Sequence, residues 1–89
     1  MDTRTIIGRN LRRLRVAKGL SQERLALESG IDRAYVGRVE RGSENVTVST
    51  LEAFAKVLDV RVSALFRDID PDEPAPLPLP AGRKVRPPN

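Results

Sequence analysis

Apolar positions along the first two-thirds of the chain recur at helical spacing. Ile7, Leu11 and Leu14 stand at i, i+4 and i+7 with Arg9, Arg12 and Arg13 on the opposite face, which predicts an amphipathic helix over residues 5–18. Gly19 stops it, since a glycine just past the last turn takes the left-handed geometry of a helix C-terminus and Leu20 supplies the usual apolar contact. Ser21 reads as the N-cap of a second helix, 22–28, whose inner face is Leu25 and Ala26 and which ends at Ser29-Gly30. Ile31 reads as a buried plug and Asp32 as the N-cap of a third helix, 33–41, anchored by Val36 and Val39 and ended by Gly42. Ser49-x-x-Glu52 has the form of a capping box and opens a fourth helix, in which Leu51, Phe54, Ala55 and Leu58 make one apolar stripe. Residues 62–66 read as a short fifth helix. Val62, Leu65, Phe66 and Ile69 carry more apolar surface than so short an element buries in one small subunit, which predicts a homodimer interface at those four residues.

Composition changes at Asp70. All seven prolines lie beyond it, so the chain divides into a folded domain, 1–69, and a disordered, proline-rich tail, 70–89, of polyproline-like character. The tail's run Pro74-Ala75-Pro76-Leu77-Pro78-Leu79-Pro80, followed by Arg83-Lys84-Val85-Arg86, is a candidate docking segment for a protein partner.

A chain of 89 residues supports one core. With no Cys and no His it has no disulfide, thiolate nucleophile, imidazole base or zinc-finger ligand set, so no metal and no cofactor is expected. The carboxylates available for acid–base work, Glu23, Glu28, Asp32, Glu40 and Glu44, are accounted for as helix-surface charges, caps and ion pairs, and catalysis is not expected. No apolar run approaches the ~20 residues of a membrane span, and the start lacks a secretory signal, so a cytoplasmic protein without membrane contact is expected. The net charge of +4 is polarised: residues 1–41 carry ten Arg or Lys against five Asp or Glu, whereas residues 42–69 carry three against four. A basic first half points to a polyanionic partner, nucleic acid ahead of anionic lipid.

The stretch from Gln22 to Arg41 sharpens this. Two helices of roughly eight and nine residues are joined by a turn containing Gly30, with the small Ala26 four residues before it and β-branched Val36 and Val39 six and nine after it. A small residue lets the second helix cross the first, the glycine relieves the turn, and the valines anchor the second helix while its far face stays free. Two helices at a steep angle with one exposed are what a DNA major groove accepts.

Leu14-Arg15, Gly19-Leu20-Ser21-Gln22-Glu23, Leu25-Ala26, Gly30-Ile31 and Glu40-Arg41-Gly42, in this register, resemble the Cro/repressor-type helix-turn-helix family, also called the xenobiotic-response-element family. Asp32-Arg33-Ala34-Tyr35-Val36 and Ser43-Glu44-Asn45-Val46-Thr47 most resemble the controller proteins of restriction-modification systems. The resemblance covers about residues 5–66. It implies an all-α, five-helix repressor-like domain acting as a homodimeric transcriptional regulator on double-stranded operator DNA. It also implies that Arg15 and Glu40 form a partly buried ion pair that locks the first and third helices together.

On a helical wheel of 33–41, Ala34, Arg38 and Arg41 lie opposite Val36 and Val39, with Arg33 flanking them near the helix start. Arg33 and Arg38 are candidates for bidentate contact with guanine O6 and N7, Ala34 for a thymine methyl, and Tyr35 for sugar, phosphate or a base edge. Gly37, near the outward face, points to close approach of backbone to DNA or to a neighbouring helix. Gln22 at the first turn of the second helix, together with Arg41, Ser43, Asn45 and Thr47, is a candidate phosphate contact; Ser, Asn and Thr in a turn equally cap local backbone. A competing class of function is an antitoxin or adaptor using the same fold to hold a protein, although such a protein has no need of three arginines around the free face of the third helix.

Overall fold

Each α-helix begins where a short polar side chain meets the first free backbone N–H groups. In the computed structural model, which describes residues 1–70 and 72–74, Asp2 Oδ1 accepts from Thr5 N (2.9 Å) and opens α1, Thr3–Ala17. Ser21 Oγ accepts from Arg24 N (2.9 Å) and opens α2, Gln22–Ser29. Asp32 Oδ2 accepts from Ala34 N and Tyr35 N (3.0 and 3.3 Å) and opens α3, Arg33–Glu40. The fourth, α4, runs Val48–Leu58 and is capped by Thr47, whose Oγ1 accepts from Thr50 N at 3.2 Å. The expected Ser49–Glu52 capping box is therefore not the cap. Thr47 takes the extended backbone that a cap requires and places Thr50 at the third helical position, which leaves Ser49 inside the first turn.

The end of α2 is where it was expected, and the later ends differ in smaller ways. α2 closes on Gly30 in the left-handed region (φ 73°) and α3 stops at Glu40, with Arg41 as its C-cap. α4 ends on Asp59, a non-glycine residue at φ 56°. The expected fifth helix is a 3₁₀ segment, Val62–Phe66, without a side-chain cap. Its Leu65 is fully buried in the subunit's own core, so it is not available to a second subunit and leaves the expected interface set; Val62 and Ile69 are half-buried and Phe66 is 42% exposed.

The core lies where α1 packs against α3 and the 3₁₀ segment, and α2 against α3 and α4. Leu11, Leu25, Val36, Phe54 and Leu65, drawn from all five elements, are each 0% exposed. Leu14 and Ile31 pack against this cluster from its edge. The closest approach is between backbones: a Cβ built on Gly8, mid-α1, would collide with Val39 O and come within 2.7 Å of Glu40 O. A mid-helix glycine costs about 1 kcal/mol in propensity, and here it lets α1 lie directly on the last turn of α3.

The basic side of α1 is not an open face. Leu65, Arg67 and Glu73 lie against it: Asn10, 0% exposed, donates from Nδ2 to Leu65 O (3.0 Å) and Arg67 O (2.9 Å), and Arg9 donates to Glu73 O (2.8 Å). Arg13 donates to Asn10 Oδ1 at 3.2 Å, and burial lowers the pKa of its guanidinium from the ordinary value. Among the described residues there is no strand, and no helix is long and apolar enough to cross a membrane. Most of the expected tail, and with it the segment expected to hold a protein partner, lies outside the described residues.

Two substitutions test this frame by urea denaturation. Gly8→Ala should destabilise by at least ~2 kcal/mol, because the opposing atoms are backbone and cannot turn aside. Thr47→Ala should cost about 1 kcal/mol and Ser49→Ala under ~0.5 kcal/mol. A larger loss at Ser49 than at Thr47 would contradict the cap assignment.

Candidate nucleic-acid interface

α3 has two chemically distinct sides. Val36 and Val39 are buried, at 0% and 1% exposure, while Arg33, Ala34, Arg38 and Arg41 are exposed and Tyr35 is half-buried between them. The 3.6-residue period separates these sets, and burying the valines turns the arginines outward. The orientation is held from behind by one carboxylate. Glu40 accepts from Arg15 Nε (2.6 Å) and Nη2 (3.0 Å) and from Gln22 Nε2 (3.0 Å), tying α1, α2 and α3 at one point. The side chains of Arg15 and Glu40 are 7% and 4% exposed, and Arg15 Nη1 donates onward to Leu20 O (2.7 Å). Two parallel N–H donors on one carboxylate make the pair strong and fix its geometry.

The expected phosphate contacts separate into two groups. Gln22 and Arg41 converge: a Cβ at Gly37 would lie 3.2 Å from Arg41 Nη1 and 3.8 Å from Gln22 Oε1, so this glycine makes room for both side chains where α2 starts beside α3. The neighbour that Gly37 accommodates is thus a pair of polar side chains. One donor of the Gln22 amide is spent on Glu40. Ser43 and Thr47 serve local backbone: Ser43 Oγ donates to Arg38 O (3.1 Å), and Thr47 caps α4. Asn45 is exposed on the same loop.

Arg38 is held as well as exposed. Its Nε donates to Glu44 Oε1 at 2.7 Å, and its guanidinium carbon lies 5.6 Å from the centroid of the Tyr35 ring. The Glu44 hydrogen bond raises the pKa of Arg38 from its ordinary value. Sequence reasoning assigned Glu44 no specific partner, because a pairing six residues away across a loop has no helical period to announce it. Gly8 and Asn10 also escaped notice, although a glycine and an asparagine in mid-helix are both signals of an unusual neighbour.

Residues 11–65 match the family model described as helix-turn-helix. The chain belongs to the helix-turn-helix family. It is 48% identical over 66 residues to control protein C.SmaI from Serratia marcescens, covering 74% of this chain and 79% of that protein. Control protein C.BamHI from Bacillus amyloliquefaciens is 37% identical over 66 residues, covering 73% of this chain and 82% of the relative. The crystal structure of the restriction-modification controller protein C.AhdI from Aeromonas hydrophila superposes with a TM-score of 0.69 at 51% identity, over 71% of this chain and 96% of that one. With these relatives, the chain is a DNA-binding transcriptional regulator of the controller or repressor type.

The division between scaffold and exposed face gives a contrast in melting. Arg15→Ala leaves the Glu40 carboxylate buried with one of its three donors and should lower stability by about 3 kcal/mol, while Arg38→Ala should change it by less than ~0.5 kcal/mol. Equal destabilisation by the two would contradict the division.

Proposed function

We propose that the chain acts as a homodimer on a dyad-symmetric operator, each subunit laying α3 into a major groove, with half-sites ~34 Å apart. The observation that carries this reading is the face of α3, where Arg33, Ala34 and Arg38 are exposed on a helix whose opposite side is anchored by Val36, Val39 and Glu40. Arginine presents a planar fork that matches guanine O6 and N7, and a methyl on Ala34 fits beside thymine C5. Tyr35 flanks this face and reaches the sugar-phosphate edge. Arg41 and the first turn of α2 at Gln22 supply a cation and free N–H groups to a phosphate at the groove's rim. Asn45 offers a neutral donor beyond them.

The second subunit is proposed to cover a shallow groove on the far side of the loop after α3. Val48 is 69% and Phe66 42% exposed there, and both line one depression with Val46, Asn45 and Leu51. A C2 interface buries the same patch on both copies, and two large apolar side chains beside one another are the natural centre of one. Val62 and Ile69 are half-buried and are proposed to join the same interface.

Selection of bound fragments from a random duplex pool tests the DNA reading directly. The winning site should be dyad-symmetric and preferred by ~10³ or more over a shuffled duplex, with affinity falling steeply as salt rises. Binding without preference would reduce the role to a sequence-independent one. For the assembly, Phe66→Glu should convert the dimer to a folded monomer in sedimentation velocity and weaken operator binding; an unaltered dimer would place the interface elsewhere.

A further inference from the structure

Glu44 places a carboxylate on the face proposed to meet a polyanion, where its charge opposes binding. Its position is built in. Gly42 turns the chain in the left-handed region (φ 76°), and Ser43 fastens the loop to the last turn of α3 by donating from both N (3.0 Å) and Oγ (3.1 Å) to Arg38 O. The loop thereby returns Glu44 to the side chain of the very residue whose carbonyl it is fastened to. The contact is specific in its atoms. Glu44 takes Arg38 Nε at 2.7 Å, while Nη1 and Nη2 have no partner among the described residues. Tyr35 lies against the guanidinium from one turn earlier on α3, its centroid 5.6 Å from the guanidinium carbon.

A guanidinium offers five N–H donors in a rigid fork, and with Nε occupied the donors left are those at the Nη1/Nη2 end. We infer that Glu44 is a positioning residue that holds Arg38 end-on, so that its two Nη groups address guanine O6 and N7. The inference rests on the proposed placement of α3 in the major groove and deepens it by naming what makes Arg38 selective. Unrestrained, an exposed arginine swings between base edges and phosphates, and a phosphate contact carries no sequence information. Held at Nε, Arg38 keeps its base-reading geometry, and the Glu44 charge weakens its attraction for phosphate. Glu44 thus exchanges non-specific affinity for discrimination. A carboxylate that merely repelled DNA would weaken every duplex by the same factor.

That difference in sign is measurable with the full 89-residue chain, the duplex recovered from the random pool and a shuffled duplex of the same composition. Glu44→Ala should bind the shuffled duplex as tightly as the parent or more so, and the selected duplex more weakly. The ratio of the two affinities should fall about tenfold, the scale of one bidentate base contact. Glu44→Gln keeps an acceptor oxygen at the same reach and should recover much of the ratio. Replacing guanines one at a time by 7-deazaguanine should reveal a position whose penalty is lost in Glu44→Ala and equally in Arg38→Ala. If Glu44→Ala raises affinity for both duplexes by one common factor, Glu44 is a repulsive charge and the inference is overturned. If Arg38→Ala itself leaves the ratio unchanged, Arg38 does not read a base, and it is the underlying placement that fails. If Arg38→Ala lowers the ratio and Glu44→Ala does not, only the positioning role of Glu44 is lost.

Discussion

The carboxylate of Glu40 is out of water and accepts three hydrogen bonds, two from Arg15 on α1 and one from Gln22 on α2. Burying a carboxylate is costly unless partners replace its hydration, and a single donor does not suffice. Only one mutual placement of the three helices brings all the donors to it, so the desolvation that makes the group dangerous also makes it specific. Because Glu40 is the last residue of α3, that placement sets the rotation of the whole helix. Glu40 shares its side with Val36 and Val39 and lies across the helix from Ala34, Arg38 and Arg41. The side proposed to meet DNA is thus decided by what happens behind it.

Steric constraint acts at the same place. Gly8 allows α1 to rest on the carbonyls of Val39 and Glu40, where any side chain would hold the helices apart. Without that contact, Arg15, two turns further along α1, would not meet Glu40 with both nitrogens in line. The fully buried Asn10 extends the arrangement by binding the carbonyls of Leu65 and Arg67, so α1 also organises the end of the domain. A helix that carries so many basic residues is in this way the central element of the fold. Arg9 is engaged by Glu73, beyond the 3₁₀ turn, and Arg13 by Asn10 on α1 itself.

Much of this was legible in the residue pattern. Helical periodicity located the four α-helices, the caps Ser21 and Asp32 were visible because each precedes a helix as a lone short polar residue, and the split of α3 into two faces follows from Val36 and Val39 alone. The fourth cap was misplaced because Val46-Thr47-Val48-Ser49-Thr50 offers three hydroxyls within four residues, and only backbone geometry chooses among them. The end of α4 carried no signal, since Asp59 adopts a conformation that glycine would have advertised. At the 3₁₀ segment, counting apolar residues could not tell Leu65, which faces its own core, from Phe66, which does not. The hydroxyls of Ser43 and Thr47 likewise serve either a phosphate or the backbone in sequence terms. In the structure both bond local backbone.

Fastening the loop in this way has a consequence for the face beside it. A loop of exposed polar residues samples many conformations unless its own groups restrain it, and ordering each residue costs on the order of 1 kcal/mol or more. Ser43 and Thr47 hold the two ends of the loop after α3 by bonds within the chain, so that part of the ordering does not wait for a partner. The residue carried between them, Glu44, then meets Arg38 in a fixed geometry. The same groups, used instead to hold phosphate, would add affinity for any duplex. Committed to the protein's own backbone, they leave the exposed arginines of α3 as the principal cations of that face, and on the proposed reading discrimination among sequences falls to how those few side chains are aimed.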